Sequence, residues 1–105
     1  MELCFVYITA SSLVEADKIG SMLVENRLAA CVNIFEKMTS IYRWEGKVHK
    51  EPETVIIAKT RTDLINDLVA RVKSLHSYKV PCIVSLPVTG GNPDFLSWIE
   101  NETNP

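Results

Sequence analysis

Few residues of this chain can do chemistry, and the sharpest grouping is His76 with Cys82. Imidazole and thiolate are good copper ligands, and Cu(I) in particular favours soft sulfur, so these two residues form a candidate metal pair. Their ordinary roles compete with that reading. A histidine just past a helix end also bonds terminal carbonyls, and a cysteine in an apolar strand is usually a small core residue. Cys31 is a third candidate thiol; strand alternation points it opposite to Ala30 and Val32, and no basic residue adjoins it in sequence to favour the thiolate. His49, between Val48 and Lys50, reads as a solvated strand position. A second grouping comprises Tyr42, Trp44, Glu53, Lys59 and Tyr78. Aromatic rings with one polar atom suit a half-buried interface or cleft. A cleft holding Lys59, His76, Tyr78 and Glu53 would suit a small anion or metabolite. Catalysis has weaker support. No Ser, His and Asp set or paired carboxylates have suggestive spacing, and Gly90-Gly91-Asn92 leads into a helix with Asn92 as its cap, so no glycine-rich phosphate cradle is evident. The chain is expected to bind, not to catalyse.

The elements that must position these groups fit one domain. The 105 residues leave no room for a second core, and 47% are hydrophobic against 23% charged. Eleven basic residues against thirteen acidic ones give a net charge of -2, so no positive field gathers phosphate backbones or an anionic membrane. An RNA-binding domain of similar strand order would need a basic surface and exposed aromatics on its sheet. Three cysteines, an odd number among apolar neighbours, fit reduced thiols in a reducing compartment. Met1-Glu2-Leu3-Cys4 carries no basic leader and no apolar run is long enough for a membrane span, so a cytoplasmic protein is expected.

Leu3 to Ile8 is an apolar run suited to a central strand. Ser12 with Glu15 makes a capping box, and Ala16, Ile19 and Leu23 recur at helical spacing until Asn26, read as a left-handed stop. Ala30 to Phe35 and Met38 to Trp44 read as strand, and Glu45-Gly46 reverses the chain into Lys47 to Thr60, a long central hairpin. Pro52 marks a bulge or edge position there. A second helix is expected from Asp63, capped by Thr60 or Thr62, with Leu64, Leu68, Val72 and Leu75 as its apolar stripe. Val80 to Val88 gives the last strand, and Asn92 with Pro93 opens a short terminal helix. The order is that of a ferredoxin-like α+β sandwich, βαββαβ, with both helices on one face of an antiparallel sheet. An uncovered sheet face and an overlong hairpin argue for self-association.

Several strings in register over about a hundred residues are then specific: Leu28-Ala29-Ala30-Cys31-Val32-Asn33-Ile34, Ser40-Ile41-Tyr42-Arg43-Trp44-Glu45-Gly46-Lys47, Ala58-Lys59-Thr60, and Leu86-Pro87-Val88 followed by Leu96-Ser97-Trp98-Ile99. They resemble the CutA divalent-cation-tolerance family in its bacterial form. The resemblance implies a homotrimer of ferredoxin-like subunits, PII-like in architecture, with the long hairpins locking neighbours together and Tyr42 and Trp44 at the interface. It also implies tolerance of divalent metal ions, with copper the metal most associated with the family. A PII-like signalling role, with a small anion or metabolite between subunits, is the alternative. His76, Tyr78 and Pro81 match the family pattern, whereas Ser77 replaces a usual proline, Cys82 stands where glutamate is typical, and Ile8 occupies the place of a cysteine found in some bacterial members.

Overall fold

A computed structural model of the chain describes residues 1–103. The expected single domain extends to residue 105, and the last two positions lie outside the described residues. The first apolar run forms β1 (Leu3–Ala10), reaching beyond Ile8 because Thr9 and Ala10 are buried too. α1 (Leu13–Glu25) starts as its capping residues dictate: Ser12 Oγ accepts from the Glu15 N–H at 3.1 Å. Glu15 Oε1 reaches back to Ser11, whose backbone N–H donates to it at 2.9 Å. The helix stop falls one residue later than expected. Arg27, not Asn26, adopts the left-handed conformation at φ 59°, while the Asn26 side-chain amide donates to the Met22 carbonyl.

The two expected strand segments at 30–35 and 38–44 are one strand, β2 (Cys31–Trp44). The pairing register shifts between Phe35 and Met38, and Lys37 sits at φ 59°, the mark of a bulge. Glu45 and Gly46 both take positive φ, 50° and 79°, as a two-residue hairpin turn of primed type requires. β3 (Lys47–Arg61) returns. It pairs with β1 only from Thr54 to Arg61, so residues 47–53 have β2 as their sole sheet neighbour. Pro52 lies in that stretch, where its missing N–H leaves nothing unpaired on the open side.

The second helix begins differently from its sequence reading. A 3-10 turn at Thr62–Leu64 precedes α2 (Ile65–Leu75), and no side chain caps either one. Thr60 is fully buried and donates to the Leu28 carbonyl at 2.7 Å, tying β3 to the end of the α1–β2 connection. Asp63 instead receives the Arg61 guanidinium at 2.6 Å. β4 (Ile83–Pro87) is shorter than the expected Val80 to Val88. β1 offers it only Cys4 to Ile8 as ladder partners, after which the Thr9 N–H to Cys82 carbonyl bond at 3.3 Å ends the contact. α3 (Pro93–Glu102) opens as expected, with Asn92 Oδ1 accepting from the Asp94 N–H and Pro93 in the first turn.

The sheet order is β2-β3-β1-β4, antiparallel throughout, which is the ferredoxin-like arrangement. Cys4, Val6, Ile8, Ile56 and Ala58 face Ala16, Ile19 and Leu23 of α1 and Leu68 and Val72 of α2 in one core. α1 lies close to the sheet because Gly20 lacks a side chain; a Cβ there would stand 2.9 Å from Val32 Cγ2. The other sheet face is covered only at one end, where Ile99 of α3 packs with Leu3 and Ala30. The hairpin stretches the molecule to 44 × 25 × 22 Å with a radius of gyration of 14.2 Å, against about 13 Å for a compact chain of this length. Replacing Gly20 by Val forces α1 off β2 and should cost about 2 kcal/mol in chemical denaturation, whereas Gly90→Ala, in open space, should change stability by less than about 0.5 kcal/mol.

Candidate functional site

Alternation along the hairpin decides which side chains share a cleft. Met38, Ser40, Tyr42 and Trp44 of β2 stand opposite Glu53, Glu51, His49 and Lys47 of β3, and these pairs lie on the sheet face away from α1 and α2. The chain leaving α2 crosses the base of that face. Together they form a cleft of about 440 Å³ lined by Thr9, Tyr42, Trp44, Glu51, Glu53, and the segment from Ser77 to Val80 with Cys82.

Four hydrogen bonds fix that segment. His76 Nδ1 accepts from the Tyr78 N–H at 3.1 Å, so the proton sits on Nε2, which donates to the Thr9 carbonyl at 2.7 Å. The Ser77 N–H donates to Glu15 Oε2 at 2.8 Å. The Tyr78 hydroxyl donates to Glu53 Oε2 at 2.7 Å. Burial, then the Glu53 hydrogen bond and charge, with the charge of Glu15 behind them, hold the Tyr78 phenol well above its ordinary range, so it remains a donor. Partial burial works against ionisation of Glu15, but hydrogen bonds from Ser11 and Ser77 outweigh it and bring the carboxyl from 4.5 to about 2. Burial pushes the Cys82 thiol up, and Glu53 adds to it against an opposing Thr9 hydrogen bond; a metal at Cys82 must therefore displace a proton.

The structure brings together some of the residues singled out in sequence and separates others. Glu53, Tyr78, Cys82, Tyr42 and Trp44 share the cleft. His76 borders it, with both ring nitrogens engaged by backbone groups. Lys59 lies elsewhere on the same face: its ammonium donates to Asn33 Oδ1 and stands over the Phe5 and Phe95 rings at 5.6 and 5.9 Å. Cys31 is opposite Lys59 in the ladder. Four residues along and three strands across from Cys82, it is about 13 Å away in one direction and about 14 Å in the other, so the two thiols do not share a site within one subunit. Among the described residues no group of three or more His, Cys, Asp or Glu side chains is placed to hold a metal ion. His49, expected to be solvated, is half-buried and stacks on Tyr42 with centroids 5.3 Å apart. Glu51, not singled out in sequence, accepts from the Tyr42 hydroxyl at 3.2 Å; its strand spacing from Glu53 was the available signal. Glu15 was legible only as a cap.

Comparison with known proteins decides the family. The family model described as CutA1 divalent ion tolerance protein matches residues 4–102. The chain belongs to the CutA family. The divalent-cation tolerance protein CutA of Thermus thermophilus is 48% identical over 93% of this chain and 95% of its own length. A solved structure of the Archaeoglobus fulgidus CutA, named a periplasmic divalent cation tolerance protein, superposes with a TM-score of 0.94 at 43% identity, covering 97% of this chain and 99% of that one. The chloroplastic CutA of Arabidopsis thaliana is 41% identical, and this chain spans 54% of its length. The ferredoxin-like fold is thus shared with solved CutA proteins, and no helix among the described residues is long and apolar enough to cross a membrane.

Glu15 makes the ordered segment of this CutA chain sensitive to acid. Because its folded pKa lies below the unfolded one, its contribution is fully present above about 4.5 and is lost as the pH falls toward 2. Discounted for the solvent around it, Glu15→Gln should lower stability at pH 7 by about 1 kcal/mol and flatten the stability profile between those values, as urea denaturation at stepped pH would measure.

Proposed function

We propose that the protein is a homotrimeric, cytoplasmic divalent-cation tolerance protein that acts by binding a metal ion, copper foremost, in clefts at its subunit seams. The observation that carries this reading is the composition of the cleft: the carboxylates of Glu51 and Glu53 and the thiol of Cys82 stand against the single ammonium of Lys79. That set suits a cation. Soft sulfur favours Cu(I); among the described residues of one subunit no three such donors are placed to hold an ion, so this reading requires donors from a neighbour. A small anion is less well served, because Lys59 is drawn away to Asn33 and the Phe5 ring.

Assembly is supported by what the open face leaves bare. Phe5 and Leu86 are ladder partners on it, Val84 and Phe35 extend the patch, and more than half of Leu86, Val84 and Phe35 is exposed. Apolar patches of this kind mark protein interfaces. Tyr42 and Trp44 continue that face along the hairpin, where a neighbouring subunit would meet them. Three copies is the number that family membership favours. Three free cysteines support a reducing compartment.

Light scattering on the eluted protein should give three times the 11.8 kDa subunit mass, and Leu86→Glu should release well-folded or partly unfolded single chains. A wild-type monomer at micromolar concentration would refute the assembly. In titrations with Cu(I) under anaerobic conditions, Cys82→Ser should weaken binding by on the order of tenfold or more, and Glu53→Gln should weaken it less. Wild-type affinity in Cys82→Ser would refute the cleft as the copper site.

A further inference from the structure

The cleft contains more than metal donors. Three aromatic rings, Tyr42, Trp44 and Tyr78, line it together with the two carboxylates. The rings are unequally used by the protein itself. Tyr42 has one face covered by the His49 imidazole, and Tyr78 meets the His76 ring at a tilt of 47° with centroids 4.7 Å apart. Both hydroxyls point their hydrogens at carboxylates, Tyr42 at Glu51 and Tyr78 at Glu53, which fixes the rings at the wall of the cavity. A metal ion has no use for three aromatic faces. An organic cation does: its alkyl groups give up hydration to the rings, the ring quadrupoles attract its charge, and neighbouring carboxylates complete the neutralisation. The volume of about 440 Å³ is within the range of small-molecule sites.

We infer that the cleft binds a small organic ammonium ion, held by Trp44, Tyr42 and Tyr78 and neutralised by Glu51 and Glu53. The site is the one described above, but the inference rests on its rings and not on its thiol, so it stands or falls separately from copper binding. Lys79, at the same cleft, is the only cationic side chain among its lining residues. An anion site would need that lysine; an ammonium site is better without it.

The test is calorimetric titration of the native assembly with tetramethylammonium chloride, against sodium chloride at matched ionic strength and tert-butanol as an uncharged analogue of similar shape. Saturable binding of tetramethylammonium is expected, with none for the other two. Trp44→Ala should weaken it about tenfold and Glu51→Gln several-fold, while Lys79→Ala should leave it unchanged or tighten it. Glu51→Gln preserves size and shape, and carries the comparison if truncation of Trp44 disturbs assembly. Cys82→Ser should leave ammonium binding intact. Absence of saturable binding, equal binding of tert-butanol, or loss of binding in Lys79→Ala with none in Glu51→Gln would overturn the inference.

Discussion

The third strand is nearly twice as long as the first, and that mismatch governs the molecule. β3 runs from Lys47 to Arg61, whereas β1 pairs with it only from Thr54 onward. A strand flanked on both sides is committed to the core by backbone hydrogen bonds and by the burial of its side chains. A strand flanked on one side keeps a free edge and two free faces. Here the same chain is both. Its inner half, with Ile56 and Ala58 fully buried, anchors the sheet to α1 and α2, and its outer half carries Glu51, Glu53 and His49 away from that core. A cleft becomes possible because the outer half is rigidly continuous with the inner half while standing clear of the helices.

The second partner of the cleft, the chain leaving α2, is short of regular structure and is ordered by one backbone carbonyl and two carboxylates from three different elements. Thr9 of β1, Glu15 of α1 and Glu53 of β3 each take one hydrogen bond from it. His76 is the centre of that fastening: its two nitrogens join the Thr9 carbonyl to the Tyr78 amide, so the ring works as a bracket between β1 and the loop. The use of both nitrogens by backbone also explains how a histidine beside a thiol can remain a structural residue within the subunit.

Much of this was legible because local chemistry and global fold agree. Ser12 and Glu15, Glu45 and Gly46, and Asn92 and Pro93 each specify a backbone conformation by their own residue types, and each marks the boundary it should. The misreadings occur where a distant partner decides. Thr60 looked like a cap, but β3 places it beneath Leu28, where burying its hydroxyl requires the Leu28 carbonyl. Val80 to Cys82 had strand-like residues, but the ladder with β1 ends at Ile8 and Ile83, and beyond it only the Thr9 N–H reaches the Cys82 carbonyl. Lys59 was grouped with Tyr78 because both are amphipathic, yet cross-strand neighbours put it beside Asn33 and Phe5. Glu15 has two carboxylate oxygens, and only the one used locally is visible from local spacing.

The bulge in β2 has an effect out of proportion to its size. Were the same residues paired without the bulge between Phe35 and Met38, the alternation begun by Cys31, Asn33 and Phe35 would carry on to Ile41 and Arg43, and the cleft would be walled by an aliphatic chain and a guanidinium. The bulge swaps the two sides of the outer hairpin and leaves the inner half untouched. Loss of Glu36 or Lys37 would close the bulge with Met38 still opposite Glu53, whereas a regular ladder that kept both residues would turn Tyr42 and Trp44 to the other side. The register shift, more than the residue types beyond it, thus decides which side chains a ligand meets.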